Sequence, residues 1–411
     1  MRTIFVTGQS GTGKTTAAAA TALGTARQGN RTLILGSDPT DTLGTALGTP
    51  TGATPVTVEP GLTAVRPDPS AALRHGLVSL QDRLAPALGL LGAARLDDEE
   101  LTLLPGGAEF ALLGALSTAA YGPYDVVVVD LPPLPAALPL LALPEQLRRY
   151  LRRLLPPERQ AARALRPLLG RLAGVPMPSA GLYETAEGWD VALAAVQAVV
   201  EDPETTVRLV AEPGPAASDL LRTTAAGLAL HGLRVDALLA NRVLPDDTAD
   251  TWLAGLVAQQ RKTLKEWASA GDGVGGADGA GGAGGTGGAH SVYEIPHLGR
   301  EPRGTDDLAA LRVPLISAPR HRVTWPLTDH SSEEGGGHGG LYVWHIPLPG
   351  AVRDTLDLVR RGDELVVTTG QFRRVVELPS ALRRCTVAGA GLREGELRIR
   401  FVPDPELWPR A

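Results

Sequence analysis

Residues 2–16 read Arg-Thr-Ile-Phe-Val-Thr-Gly-Gln-Ser-Gly-Thr-Gly-Lys-Thr-Thr, and this stretch decides the fold. Residues 3–7 are mostly β-branched or aromatic and predict a buried strand, whereas residues 16–28 are rich in alanine, lack proline and predict a helix. Between them, the segment from Gly8 to Thr15 satisfies the pattern G-x-x-x-x-G-K-[ST] in full. A strand, a glycine-rich turn and a helix in this order predict a phosphate-binding loop.

The residue types in this loop fit a nucleoside triphosphate with a magnesium ion. Glycines let backbone N–H groups surround the β-phosphate, and the helix N-terminus adds positive potential. Lys14 would neutralise charge on the β- and γ-phosphates, and the Thr15 hydroxyl would bind Mg²⁺. We therefore predict that ATP and Mg²⁺ bind here, at Gly8, Gln9, Ser10, Gly11, Thr12, Gly13, Lys14, Thr15 and Thr16.

The lysine content supports this prediction. The chain has only three lysines, Lys14, Lys262 and Lys265, and arginine provides nearly all other positive charge. A planar guanidinium cannot replace a compact ammonium inside a tight phosphate cradle. A lysine at position 14 is therefore what nucleotide binding requires.

The composition argues against several other classes of protein. A net charge of −6 without a basic tail or stripe argues against a nucleic-acid partner. The single cysteine, Cys385, excludes a disulfide framework and any CxxC metal site. The apolar run at residues 131–144 contains five prolines and is shorter than the ~20 residues of a membrane helix, so we expect a loop or a cargo-facing surface. With no signal-peptide pattern and no integral membrane segment expected, we predict a cytoplasmic protein.

Strand-like apolar runs recur through residues 1–325 at the intervals of alternating strands and helices. Such continuous runs are typical of strands buried on both faces of a parallel sheet. The sequence therefore predicts an α/β fold, a doubly wound and mostly parallel sheet with a helical insertion at about residues 145–200. The predicted strands are residues 3–7, 31–36, 124–130, 206–211 and 237–240.

Two glycine-rich stretches divide the remaining chain. Residues 271–290 are nearly all Gly and Ala and predict a disordered insertion, and residues 326–340 predict a linker. Short runs of period two at residues 341–411, separated by Pro, Gly and Asp, predict a small all-β sandwich. A leucine- and arginine-rich block at residues 146–173 could line an apolar cargo groove or form an amphipathic packing helix with arginines outward.

Two carboxylates are expected beside the phosphate loop. Asp130 ends an apolar strand and fits the residue that anchors Mg²⁺, and Asp38 follows the second strand, where it could orient water or help to hold the metal. Asp130 could instead be an acidic strand end, and Asp38 could cap a helix starting near Thr40. We predict catalytic roles for Lys14, Asp38 and Asp130, and metal ligands at Thr15, Asp38 and Asp130.

On these motifs the chain resembles the ArsA-type ATPases, the arsenite-pump and tail-anchored-protein-targeting ATPases. The resemblance covers residues 1–325 and rests on five segments. They are the phosphate loop, Ser37-Asp-Pro39 as switch I, Pro105-Gly-Gly-Ala-Glu109, residues 124–145 including switch II, and Asn241-Arg-Val-Leu-Pro245 followed by residues 296–304.

The resemblance implies Mg-dependent ATP hydrolysis coupled to conformational change. It also implies a homodimer and a protein or hydrophobic peptide cargo. By the same resemblance, Asn241 reads the adenine edge and Pro296 lines the base, although Asn241 could instead be a turn residue at a strand end. Residues 346–350, 364–367, 373–379 and 395–399 resemble the α-crystallin type of small heat-shock protein. That second resemblance implies a protein contact, either by edge-strand pairing or by docking on the ATPase body.

The chain also departs from the ArsA pattern. Gln9 stands where the family has a lysine that reaches the partner's nucleotide, and switch II reads Asp130-Leu-Pro-Pro-Leu-Pro-Ala-Ala137. Prolines fix φ and remove N–H donors, so this segment should be stiff. A hydrolysis-impaired pseudo-ATPase that acts as a nucleotide-stabilised adaptor is therefore the alternative function. A third reading, a small-molecule kinase, would need an arginine-rich lid, which only the block at residues 146–173 could supply.

Overall fold

The computed structural model describes residues 1–38, 40–71, 106–154, 180–272, 291–315, 324–330 and 340–407. Most of the predicted insertion at residues 271–290 lies outside these ranges. So do residues 155–173 of the leucine- and arginine-rich block, and residues 331–339 of the predicted linker.

The first part of the chain folds around an eight-stranded sheet. Its strands are β1 (Arg2–Gly8), β2 (Thr32–Gly36), β3 (Val56–Glu59), β4 (Leu62–Val65), β5 (Val126–Asp130), β6 (Thr206–Ala211), β7 (Val235–Val243) and β8 (Ser291–Pro296). The order is β3-β4-β2-β5-β1-β6-β7-β8, and every neighbouring pair is parallel except β3 and β4. The predicted α/β fold with a mostly parallel sheet is confirmed.

Helices cover both faces of this sheet. On β1, Phe5 belongs to the hydrophobic cluster on one face, whereas Ile4 and Val6 belong to the cluster on the other. This alternation explains why the strands read as unbroken apolar runs. The described helices are α1 (Lys14–Arg27), α2 (Thr42–Leu47), α3 (Gly107–Ala120), α4 (Ala137–Leu154), α5 (Ala180–Glu201), α6 (Pro215–Leu230), α7 (Thr251–Asp272) and α8 (Gly304–Ala310).

The chain continues into an all-β unit of two antiparallel sheets, which we call the β domain. Its strands are β9 (Leu327–Asp329), β10 (Tyr342–Pro347), β11 (Leu356–Arg361), β12 (Glu364–Thr369), β13 (Phe372–Glu377), β14 (Cys385–Arg393) and β15 (Glu396–Pro403). One sheet has the order β14-β15-β10-β9 and the other the order β11-β12-β13. The predicted all-β fold is confirmed, and β9 adds a strand to it from within the predicted linker.

The expectation of a loop or cargo-facing surface at residues 131–144 is wrong for residues 137–144, although residues 131–136 do lie between β5 and α4 without helix or strand structure. Helix α4 begins at Ala137 and buries Leu138, Leu140 and Leu141 in the core. Pro139 lies in the first turn, where a helix needs no N–H donor, so it does not prevent the helix from starting. Among the described residues, no helix has both the length and the hydropathy needed to cross a bilayer.

The β domain docks on the helices of the sheet. Phe372 of β13 is buried in the same hydrophobic cluster as Leu138 of α4 and Leu228 of α6. Gly227 of α6 makes this approach possible, since a Cβ at that position would lie 2.7 Å from the Phe372 ring and 2.8 Å from a methyl group of Leu138. The two parts of the chain therefore share one continuous core.

Arg208, in the middle of β6, is fully buried beneath the sheet. Its Nη2 donates to Asp236 of β7 at 2.9 Å, and its Nη1 donates to the Thr21 hydroxyl of α1 at 3.1 Å. The Asp236 carboxylate also accepts from Thr206 and Arg2. Because the side chains of Arg208 and Asp236 are both fully buried, removing either one would leave an uncompensated buried ion.

We predict that Asp236→Ala lowers the free energy of unfolding by about 3–5 kcal/mol, since Arg208 would remain buried without its counter-ion. Chemical denaturation of purified protein measures this loss. Asp125→Ala is the matched control, because Asp125 also makes a two-point contact with an arginine, Arg31, but at the exposed surface. The control should shift the transition little, and equal shifts for both variants would contradict the account.

Candidate functional site

Three loops meet at the carboxyl edge of the sheet. Val6 of β1 and Gly36 of β2 both lie beside Asp130 of β5 in register, so the segments that follow these strands emerge side by side. Asn241 near the end of β7 approaches the same edge from beyond β6. The structure thus brings the phosphate loop, Asp38, Asp130 and Asn241 together.

The phosphate loop packs tightly against β6. A Cβ on Gly8 would overlap the Val210 carbonyl oxygen, so only glycine fits at this position. The Thr12 hydroxyl donates to the Gln9 carbonyl at 2.8 Å and lies 3.3 Å from the carbonyl of Val210. Ser10 and Gly11 form the exposed tip of the loop. These contacts fix the loop in shape before any ligand binds.

Gly13 leads from the loop into α1 with a left-handed φ of 84°, and no side chain caps the helix N-terminus. Uncapped N–H groups at a helix start favour an anion. The Asn241 side chain donates to the Thr12 carbonyl at 2.7 Å, and a Cβ on Gly13 would overlap that amide group. Asn241 is buried within β7, so the alternative of a strand-end turn residue is wrong.

Asp130 faces the start of α1. Its Oδ2 accepts from the Thr15 hydroxyl at 2.6 Å, whereas its buried Oδ1 has no partner. Burial raises the pKa of Asp130 to about 6, with the Thr15 hydrogen bond and the charge of Lys14 opposing the rise and Asp38 adding to it. An unsatisfied carboxylate oxygen beside a threonine hydroxyl is a site where a cation would be stabilised.

Asp38 lies in a turn after β2. Burial alone would raise the pKa of Asp38, but hydrogen bonds from the hydroxyl and the N–H of Thr40 hold it below its usual value. Asp38 is therefore ionised at neutral pH. Asp41, not Asp38, caps α2 by accepting from the Gly44 N–H at 3.0 Å, so the helix-cap alternative for Asp38 is wrong.

A cavity of about 440 Å³ opens beside the phosphate loop. Asn241 and Pro296 line it together with Gly13, Thr15 and Thr16. The sequence analysis gave no role to several polar residues of its wall, although four of them lie within the quoted segments 241–245 and 296–304, which was the available signal. They are Thr42, Thr45, Arg242, His297, Arg300 and Arg303.

The residues present fit Mg²⁺ and a nucleoside triphosphate. Oxygen ligands suit a hard cation, and the orphaned Oδ1 of Asp130 and the Thr15 hydroxyl supply them at one point. Gly8 and Gly13 have no room for a Cβ, and no side chain caps the start of α1, so its first N–H groups can bind a phosphate. The arginine-rich block gives no lid over this site in the part that the structure describes, since Arg148 pairs with Asp190 and Arg149 with Glu364.

The altered switch II segment, residues 130–137, is hydrogen-bonded to β1. The Leu134 N–H donates to the Gly8 carbonyl at 2.9 Å, and the Thr7 hydroxyl donates to the Pro132 carbonyl at 2.8 Å. Although its prolines have no N–H donor, the segment is therefore held to β1 by the Leu134 N–H and by the Pro132 carbonyl, which accepts from Thr7.

Comparison with known proteins agrees with this geometry. A family model described as anion-transporting ATPase matches residues 1–270, and a model described as an HSP20-like domain found in ArsA matches residues 339–401. An uncharacterised Streptomyces coelicolor protein is 62% identical with full coverage of both chains, and a Mycobacterium tuberculosis protein is 34% identical, covering 99% of this chain and 97% of its own. A putative arsenical pump-driving ATPase of Aquifex aeolicus is 24% identical over 97% of this chain and 99% of its own.

The first family model covers well over half of the chain, and its segment contains the phosphate loop, Asp38, Asp130 and Asn241. The chain therefore belongs to the anion-transporting ATPases of the ArsA type, with an HSP20-like domain at its C-terminal side.

Proposed function

We propose that the protein hydrolyses ATP with Mg²⁺ and couples this reaction to conformational change and to binding of an apolar cargo. One observation carries the nucleotide part of the proposal. The buried, unpartnered Oδ1 of Asp130 lies beside the Thr15 hydroxyl, at the N-terminus of α1 and within the influence of the Lys14 charge.

Each residue then has a distinct role. The loop N–H groups and Lys14 hold the phosphates, while Thr15, Asp130 and Asp38 hold Mg²⁺, which would neutralise phosphate charge when bound. Asp38, being ionised, also suits the orientation of an attacking water molecule. The Asn241 amide group donates to Thr12 through its nitrogen, which leaves its oxygen to accept from the adenine amino group, with Pro296 against the base.

A second candidate function is a nucleotide-stabilised adaptor that binds ATP without turning it over. Two observations favour it. Gln9 brings no positive charge to the loop, and the switch II segment has prolines at positions 132, 133 and 135 and is hydrogen-bonded to β1. A stiff switch would hinder the rearrangement that follows the γ-phosphate.

We infer that the protein works as a cytoplasmic homodimer, as its family resemblance implies, and that the cargo lies against an apolar groove between α3 and α5. Phe110 and Trp189 face this groove and are 47% and 54% exposed, and its volume is about 180 Å³. Leu113, Leu193 and Val196 complete its apolar wall. Exposed aromatic side chains around a shallow apolar groove suit the binding of an apolar helix.

Substitutions of Lys14 and Asp130 should affect ATP binding and ATP hydrolysis differently. We expect Lys14→Ala to abolish ATP binding, because it removes the charge that holds the phosphates. Asp130→Asn should retain metal-free ATP binding but lose the gain in affinity that Mg²⁺ gives, together with at least ~10²-fold in turnover, the usual loss of a key electrostatic group. Equilibrium ATP binding with Mg²⁺ or EDTA, and phosphate release, measure these effects.

Gln259→Ala, at an exposed position of α7 that does not line the cavity, is the control and should leave binding and turnover unchanged. ATP binding by the parent without Lys14-dependent phosphate release would favour the adaptor. Absence of ATP binding by the parent would contradict both functions.

The groove makes a separate prediction. Phe110→Ser combined with Trp189→Ser should weaken binding of a fluorescent, mainly Leu and Ala helical peptide of ~20 residues, because the main exposed apolar contacts are lost. Fluorescence anisotropy measures this affinity, and ATP binding should not change. Trp252→Ser is the matched control, since Trp252 is 74% exposed but lies outside the groove on α7. Equal losses for the control and the groove variant would overturn the groove assignment.

A further inference from the structure

The β domain is docked on the helix that follows switch II. Helix α4 begins at Ala137, directly after the segment that starts with Asp130. The face of α4 that carries Glu145 and Arg149 meets strands β12 and β13 of the β domain. The position of the β domain is therefore linked to the carboxylate beside Thr15 through a single helix and a short segment.

The segment between Asp130 and α4 is stiff. Leu131 donates to the Val6 carbonyl at 2.9 Å, and Leu134 donates to the Gly8 carbonyl at the same distance. At its far end, the Ala137 N–H donates to the Pro133 carbonyl at 3.3 Å, which starts α4. Three prolines restrict φ along this path. A displacement of α4 would consequently reach Asp130 and Gly8 instead of being absorbed by a flexible loop.

Two partly buried ion pairs of opposite polarity join α4 to the β domain, and the more exposed Arg153 of α4 also lies 3.4 Å from Glu364. Arg149 donates from Nε and Nη2 to the two oxygens of Glu364, each at 2.8 Å. One turn earlier, Glu145 accepts from Arg374 Nε at 3.1 Å. All four side chains are at most 28% exposed, so these charge-assisted contacts are screened less than surface pairs. The alternating charges also fix the register of the docking.

Apolar contacts and a further hydrogen bond complete the attachment. Phe372 of β13 and Leu138 of α4 both lie against Gly227 of α6, in one hydrophobic cluster. Arg374 Nη1 also donates to the Leu230 carbonyl, at the end of α6, at 2.8 Å. Strand β13 thus holds α4 and α6 at the same time, which opposes sliding of one helix along the other.

We propose that the β domain acts as an intramolecular clamp on α4 that holds Asp130 in position to bind Mg²⁺, and so raises the affinity for the magnesium complex of ATP. The inference rests on the proposed nucleotide site. In the docked arrangement, Asp130 Oδ2 accepts from Thr15 and Oδ1 is free for the cation. Because coupling between two sites is reciprocal, bound Mg-ATP must tighten the docking by the same factor.

Charge reversal tests the clamp in the full chain. Arg149→Glu and Glu364→Arg each replace attraction by repulsion, and each should weaken Mg-ATP binding about fivefold, the lower end of usual coupling. The combined Arg149→Glu/Glu364→Arg variant should recover part of the affinity, since the pair is restored with its polarity reversed while Arg153, 3.4 Å from Glu364 in the parent, then faces a like charge. Binding in EDTA should change little, because the clamp acts through the metal-binding carboxylate. Arg31→Glu, which breaks an exposed two-point pair with Asp125, is the control and should not change affinity.

Hydrogen–deuterium exchange gives a second readout that needs no variant. Mg-ATP should slow amide exchange in β13 and α4 of the parent protein, and the single charge reversals should reduce this protection. Parent protein that binds Mg-ATP with no change of exchange in β13, or single variants with parental affinity, would overturn the clamp and leave the proposed function intact. Parent protein that does not bind Mg-ATP would overturn the proposed function and the clamp together.

Discussion

The hydrogen bond between the Thr15 hydroxyl and the buried carboxylate of Asp130 is the interaction on which the site depends. It joins the first turn of α1 to the end of β5 across 115 positions of sequence, at a distance of 2.6 Å. Burial of a carboxylate with one unpartnered oxygen is costly without a ligand, as its pKa of about 6 shows. The fold tolerates this cost at the carboxyl edge of a parallel sheet, where ligands of doubly wound folds bind. A cation at this point would offset the cost, as the proposed function requires.

The β domain restrains the helix that follows Asp130. It shares a hydrophobic core with the sheet helices and contacts α4 through ion pairs between residues more than 200 positions apart. A domain attached only by a linker would leave α4 free on one side. Here the helix after switch II, α4, is packed between the sheet and the β domain. The prolines at positions 132, 133 and 135 restrict φ in the segment that joins β5 to α4, so the two ends of this segment cannot move independently of each other.

Much of the site could be predicted from the sequence, because each of its parts has a recognisable pattern within a few neighbouring residues. The phosphate loop lies within eight residues, from Gly8 to Thr15, and Asp130 ends an apolar run that parallel sheets require. Other features depended on distant partners or weak local patterns. The start of α4 was hidden by Pro139, because a proline in a first helical turn reads like a loop residue. Strand β14 contains two glycines and two alanines and has little strand propensity of its own. The pairing of Arg208 with Asp236 on the neighbouring strand could not be predicted, because nothing in the sequence around either residue indicates its partner.

The most direct test of the central claim is a crystal structure of the full chain with Mg²⁺ and a non-hydrolysable ATP analogue. The account predicts phosphates within the loop from Gly8 to Thr15, the cation against Thr15 and Asp130, and the adenine ring between Asn241 and Pro296. It also predicts a β domain still docked on α4. An analogue bound with its phosphates away from Lys14, or with its base outside the cavity lined by Asn241, would contradict the account.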